Sequence, residues 1–111
     1  MKLVKNGEGV EYSAPGHMNC FVMNKLVFGK DTKKMGIGMS FFLPGGGAEM
    51  SAAPVERAYY VISGAIEVKG KSEKHVVNAG DLIYIADGED REFKVIGNNP
   101  ATIMVFAAKL D

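Results

Sequence analysis

The sequence predicts an all-β protein built as a sandwich or barrel of short strands. Three observations lead there. The apolar residues come in short runs rich in Val, Ile, Tyr and Phe, which suit a pleated, half-buried surface. Glycine, asparagine and aspartate punctuate those runs at regular intervals, and no stretch carries the period of an amphipathic helix.

In order, the expected strands are Phe21–Phe28, Gly36–Leu43, Ala58–Ile62, Ala65–Lys69, Lys74–Val77, Asp81–Ile85, Arg91–Ile96 and Ala101–Ala107. Ser63-Gly64 separates two of them and suits a tight hairpin, because glycine takes positive φ without steric penalty. Gly70–Glu73 reads as a second hairpin loop and Ala79-Gly80-Asp81 as a tight turn. Gly97–Pro100 places four turn-formers in a row, with Pro100 free to open the last strand. Gly45-Gly46-Gly47 reads as a flexible turn at a barrel mouth. A phosphate loop would need a following lysine-serine pair and a helix, and neither is present.

A chain of 111 residues predicts one domain over 1–111, with 47% apolar residues for its core. Thirteen basic and thirteen acidic side chains give a formal net charge of zero. That balance argues against nucleic acid and against an anionic membrane surface as partners, and does little to oppose self-association. The single cysteine, Cys20, fits a reducing compartment and reads as a buried structural thiol. The start, MKLVKNGEGV, lacks the apolar run of a signal peptide, so a cytoplasmic location is expected.

Two segments, 44–64 and 80–98, resemble the paired motifs of the cupin superfamily. The first family motif runs Gly, five residues, His-x-His, three or four residues, Glu, six residues, Gly. The second runs Gly, five residues, Pro-x-Gly, two residues, His, three residues, Asn. Counting back from Gly64, the Glu position is Arg57, and the His-x-His falls on Met50 and Ala52, or on Ser51 and Ala53. Counting forward from Gly80, the Pro is Ala86, the Gly is Gly88, the His is Arg91 and the Asn is Val95. Ala-Gly-Asp-Leu-Ile-Tyr-Ile and Tyr-Tyr-Val-Ile-Ser-Gly are the strongest single matches. The resemblance implies a small single-unit cupin with a jelly-roll β-barrel and a degenerate metal site. It also implies a homodimer, paired through sheet edges such as Leu3–Val10 and Phe21–Phe28.

The motif Glu points into a cupin barrel, so the resemblance turns Arg57 inward. Alternation then gives Tyr59 and Val61 its face, and groups Arg91, Phe93 and Val95 on another inward face. A one-residue slip would instead put Glu56 inside. Two inward arginines need carboxylates, whether from Glu49, Glu56, Glu89, Asp90 or Glu92 or from a ligand. His17, in a Pro-Gly-His loop, and His75, on an exposed strand, fall at no motif position, so neither metal nor other cofactor is expected.

The leading expectation is a metal-independent barrel that binds a small organic anion or carboxylate. Its candidate ligand-binding residues are Arg57, Arg91, Tyr59, Phe93, Met50 and Tyr84. The alternatives are a cupin enzyme, such as an isomerase or lyase acting on a small carboxylate, a metal-binding cupin with atypical ligands, and a structural or regulatory dimer whose barrel is filled by side chains.

Overall fold

The computed structural model describes residues 1–110. Nine strands form it: β1 Val10–Tyr12, β2 His17–Leu26, β3 Met35–Ser51, β4 Val55–Ser63, β5 Ala65–Lys69, β6 Lys74–Asn78, β7 Leu82–Ile85, β8 Arg91–Val95 and β9 Ala101–Lys109. They pair antiparallel in the order β6-β5-β8-β3-β9-β4-β7. Strand β2 adds to β3, and β1 to β2. The result is a nearly closed jelly-roll β-barrel, with no helix among the described residues.

Strand β3 organises the barrel. Its first half, Met35 to Phe42, pairs with β9, and its second half, from Gly47 to Ser51, pairs with β8. The triple glycine therefore lies inside a strand, not in the expected mouth turn. The reason is proximity: a Cβ on Gly47 would stand 2.1 Å from the Phe93 carbonyl oxygen, so only glycine lets β3 pass this close to β8. Gly64 takes φ +77, as a turn glycine should, but β4 pairs with β7 and β9 while β5 pairs with β6 and β8, so Ser63-Gly64 is a tight bend between two ladders and not the expected hairpin.

The core gathers the inward residues of every layer. Phe42, Val61, Ile66 and Ile103 are fully buried, with Val68, Val77, Ile85 and Val95 packed around them. Burying side chains of this size contributes about 1.5–3 kcal/mol each before conformational entropy is subtracted. The core fills only one end. Toward the other end the inward positions of β3 are Gly36, Gly38 and Ser40, and Ala107 faces them from β9. Such small residues leave open space, and β1 and β2 wall it. No helix of the described residues is long and apolar enough to cross a membrane.

Candidate functional site

The space left by those small residues is a cavity of about 390 Å³. Its polar lining includes His17, Asn24, Ser40, Arg57, Tyr59 and Arg91, and no aspartate or glutamate. Phe93, Ile103 and Val105 supply apolar wall.

Both arginines are buried. Arg57, on β4, is 8% exposed, and Arg91, at the start of β8, is 5% exposed. Arg57 pairs across to Ile85 and Ala107, which fixes the register that turns it inward. Glu56 points out and accepts a hydrogen bond from the Tyr84 hydroxyl at 2.6 Å.

The two guanidiniums are held differently. Arg91 donates from Nε to the Tyr59 hydroxyl at 2.7 Å. From one Nη it donates to the Glu49 carbonyl at 2.9 Å and to Ser51 Oγ at 3.1 Å. Its guanidinium also sits 5.6 Å from the Phe93 ring centroid, within cation–π range. Arg57 has one long hydrogen bond, from Nη2 to the Glu89 carbonyl at 3.4 Å, and its Nε is buried with no partner. Burial is the main cause holding the Arg57 pKa below its ordinary value; Arg91 adds to it, and Tyr59 and Glu89 oppose it.

None of the nearby acids forms a salt bridge with this pair, and the Glu89 carboxylate supports the Arg57 charge only through space. Asp90 bridges Lys71, Glu92 lies near Lys69, and Glu89 accepts from the Ala86 amide. Glu49 gives Arg91 its carbonyl, and no Arg57 or Arg91 salt bridge exists among the described residues.

His17 was not foreseen in this site. It opens strand β2 instead of lying in a loop, and its register partner is Ala48, which in turn pairs with Phe93. The small Ala48 lets the imidazole reach Phe93, with ring centroids 6.1 Å apart, and stack on Phe42 at 6.3 Å. Nδ1 lies 2.9 Å from the Pro15 carbonyl. Burial chiefly lowers the His17 pKa from 6.5. The Pro15 hydrogen bond opposes that, and Arg91 and Arg57 add to it.

Tyr59 and Phe93 line the cavity as expected, their rings edge to face at 5.7 Å. Met50 and Tyr84 do not. Met50 is 41% exposed, because β3 shifts register against β8 between Ala48 and Ser51. Tyr84 is 56% exposed, since its strand turns Ile85 inward. Cys20 is half-buried against the core, and burial raises its pKa. His75 is exposed on β6 and lies near Glu73.

The family model described as "Cupin domain" matches residues 28–107. This chain belongs to the cupin domain family. A Mycobacterium tuberculosis protein described as a beta-D-galactosidase is 28% identical over 111 residues, covering 97% of this cupin and 94% of the relative. Among solved structures, the polyketide cyclase RemF from Streptomyces resistomycificus superposes with a TM-score of 0.81 at 19% identity, over 97% of this chain and 79% of its own. KdgF from Halomonas sp. does so with a TM-score of 0.76 at 18% identity, over 99% and 97%. At such identities these structures speak for the fold alone.

Cupin barrels are known for holding metal ions, and this site does not fit one. Where the two motifs would place ligands stand two guanidiniums, which have no lone pair to give and repel a cation. No group of three or more His, Cys, Asp or Glu gathers among the described residues.

Proposed function

We propose that this cupin binds a small organic anion in its barrel, with a carboxylate received by Arg57 and Arg91. The observation that carries the reading is the buried Arg57 Nε without a partner. A buried guanidinium lacking a counter-charge is costly, and a bidentate carboxylate is the group whose geometry offsets that cost. The cavity's volume and apolar walls suit a small molecule, and they speak against a barrel filled by its own side chains. The assembly is proposed as a homodimer, in keeping with the zero net charge and with the exposed Phe21 and Phe41 on the outer sheet.

Melting a sample purified from anion-free buffer against a panel of small carboxylates tests this. A ligand at 100 times its dissociation constant stabilises the native state by about 2.7 kcal/mol. Expected are hits that Arg57→Met and Arg91→Met both lose. A panel without hits, or variants that bind the same acids with unchanged affinity, would remove the reading.

An enzymatic use of the same site is the second reading. It is favoured by a half-buried imidazole beside the arginines. The galactosidase and cyclase descriptions belong to the relatives and supply no substrate for this chain.

A further inference from the structure

We infer that His17 is a general base and that the site's ligand class is a small 2-oxo carboxylate, which is enolised there. The inference rests on the anion-site reading and extends it.

The first argument is placement. The turn carrying His17 is pinned at both sides: the His17 amide donates to the Ala14 carbonyl at 3.3 Å, and the Gly16 carbonyl accepts from the Glu49 amide at 2.8 Å. Glu49 in turn gives its carbonyl to Arg91. One residue of β3 therefore fixes both the imidazole turn and a guanidinium, and their relative position is built into the sheet. With Nδ1 donating to Pro15, the neutral ring carries its lone pair on Nε2. That atom has no hydrogen-bond partner among the described residues.

The second argument is the division of labour between the arginines. Arg57 has a buried Nε without a partner and one long hydrogen bond from Nη2, with Tyr59 beside it, and its unpartnered edge suits a carboxylate taken side-on. Arg91 is committed through Nε and one Nη, which leaves the other Nη, with its two N–H groups, as a fixed donor. An immobile donor suits a carbonyl oxygen that gains charge, as an enolate does. The Tyr59 hydroxyl accepts from Arg91 and keeps its own proton to give to that oxygen.

The step balances without a co-reactant. The Nε2 lone pair takes the proton from the carbon next to the carbonyl. The C–H pair enters the new C=C bond, and the carbonyl π pair moves to oxygen. The imidazolium then returns the proton to that same carbon as the oxygen pair re-forms the carbonyl. The titratable and charged groups around His17 are Arg91 on β8, Arg57 and Tyr59 on β4, Tyr12 on β1, and Glu49 on β3, whose carboxylate lies against Gly16. Burial and the two cations favour the neutral ring that a base must be.

The test follows deuterium exchange at C3 of 2-oxobutyrate in heavy water by proton NMR, with a melt of the same samples to report binding. Wild type is expected to exchange about 100-fold faster than His17→Gln, in keeping with the contribution of a general base. Both proteins should still be stabilised by 2-oxobutyrate. The wild-type rate should hold level below pH 6.5 before it falls, a profile that needs no variant to fold. Equal exchange in wild type and His17→Gln, with binding intact in both, overturns the base and leaves the anion site standing. Binding of other carboxylates but not 2-oxobutyrate overturns the ligand class. Absence of any carboxylate binding overturns the anion site and this inference with it.

Discussion

Replacing each arginine by methionine should push stability in opposite directions. Methionine fills much of the same space and carries no charge. At Arg57 the exchange gives up one 3.4 Å hydrogen bond and removes a buried Nε that has no partner. An unsatisfied buried polar group costs about 1–3 kcal/mol, and apolar replacement of buried charge is often stabilising by a similar amount. Arg57→Met should therefore gain about 1–3 kcal/mol, which for a domain near this size is roughly 5–20 °C in melting temperature. At Arg91 the same exchange removes three donated hydrogen bonds, of 2.7, 2.9 and 3.1 Å, and leaves the Glu49 carbonyl without that donor. Arg91→Met should lose about 1–3 kcal/mol. Calorimetry of both variants in anion-free buffer makes the comparison. A drop for Arg57→Met as large as that for Arg91→Met would mean that Arg57 is satisfied in the free protein, and the case for a missing carboxylate would collapse.

Because the His17 pKa is lower folded than unfolded, its contribution to stability is full above pH 6.5 and is lost as the pH falls from there toward the folded value. Melting temperatures across that window should drop more for wild type than for His17→Gln. Gly47→Ala should destabilise by about 1–3 kcal/mol or more, since the new methyl overlaps the Phe93 carbonyl, and denaturant melts will read it. Tyr84→Phe should leave anion-induced melting shifts unchanged, because its hydroxyl serves the outward Glu56. Light scattering should return a dimer mass at micromolar concentration, and a monomer mass would refute the proposed pairing.

The sequence was most legible where chemistry is local. Glycine and asparagine marked the turns at Gly64, Gly80 and Gly97. Alternation correctly grouped Arg57 with Tyr59 and Arg91 with Phe93. Counting failed where a strand changes register. The irregularity between Ala48 and Ser51 carried Met50 to the surface and brought Ser51 to Arg91. Tyr84 had a readable signal: Ile83 and Ile85 flank it, and their face turns inward. His17 had almost none. Pro-Gly reads as a loop, and the value of the position comes from Ala48 and Phe93, which lie next to it only after β2, β3 and β8 assemble. The missing salt bridges were equally invisible, because five acids stand close in sequence and only the three-dimensional pairing shows Glu56, Glu89, Asp90 and Glu92 engaged with other partners.

Strand β9 lies between β3 and β4, bonded to one from Met35 to Phe42 and to the other from Val55 to Ser63. Both neighbours precede it by about forty residues or more, so the central ladder closes late and folding belongs to the slower, non-local kind. Until β9 arrives, two long strands present bare edges to solvent, and one of them carries Met39 and Phe41. A nascent or truncated chain that lacks this segment is therefore the most aggregation-prone form of the protein. Chaperone demand should peak before β9 leaves the ribosome.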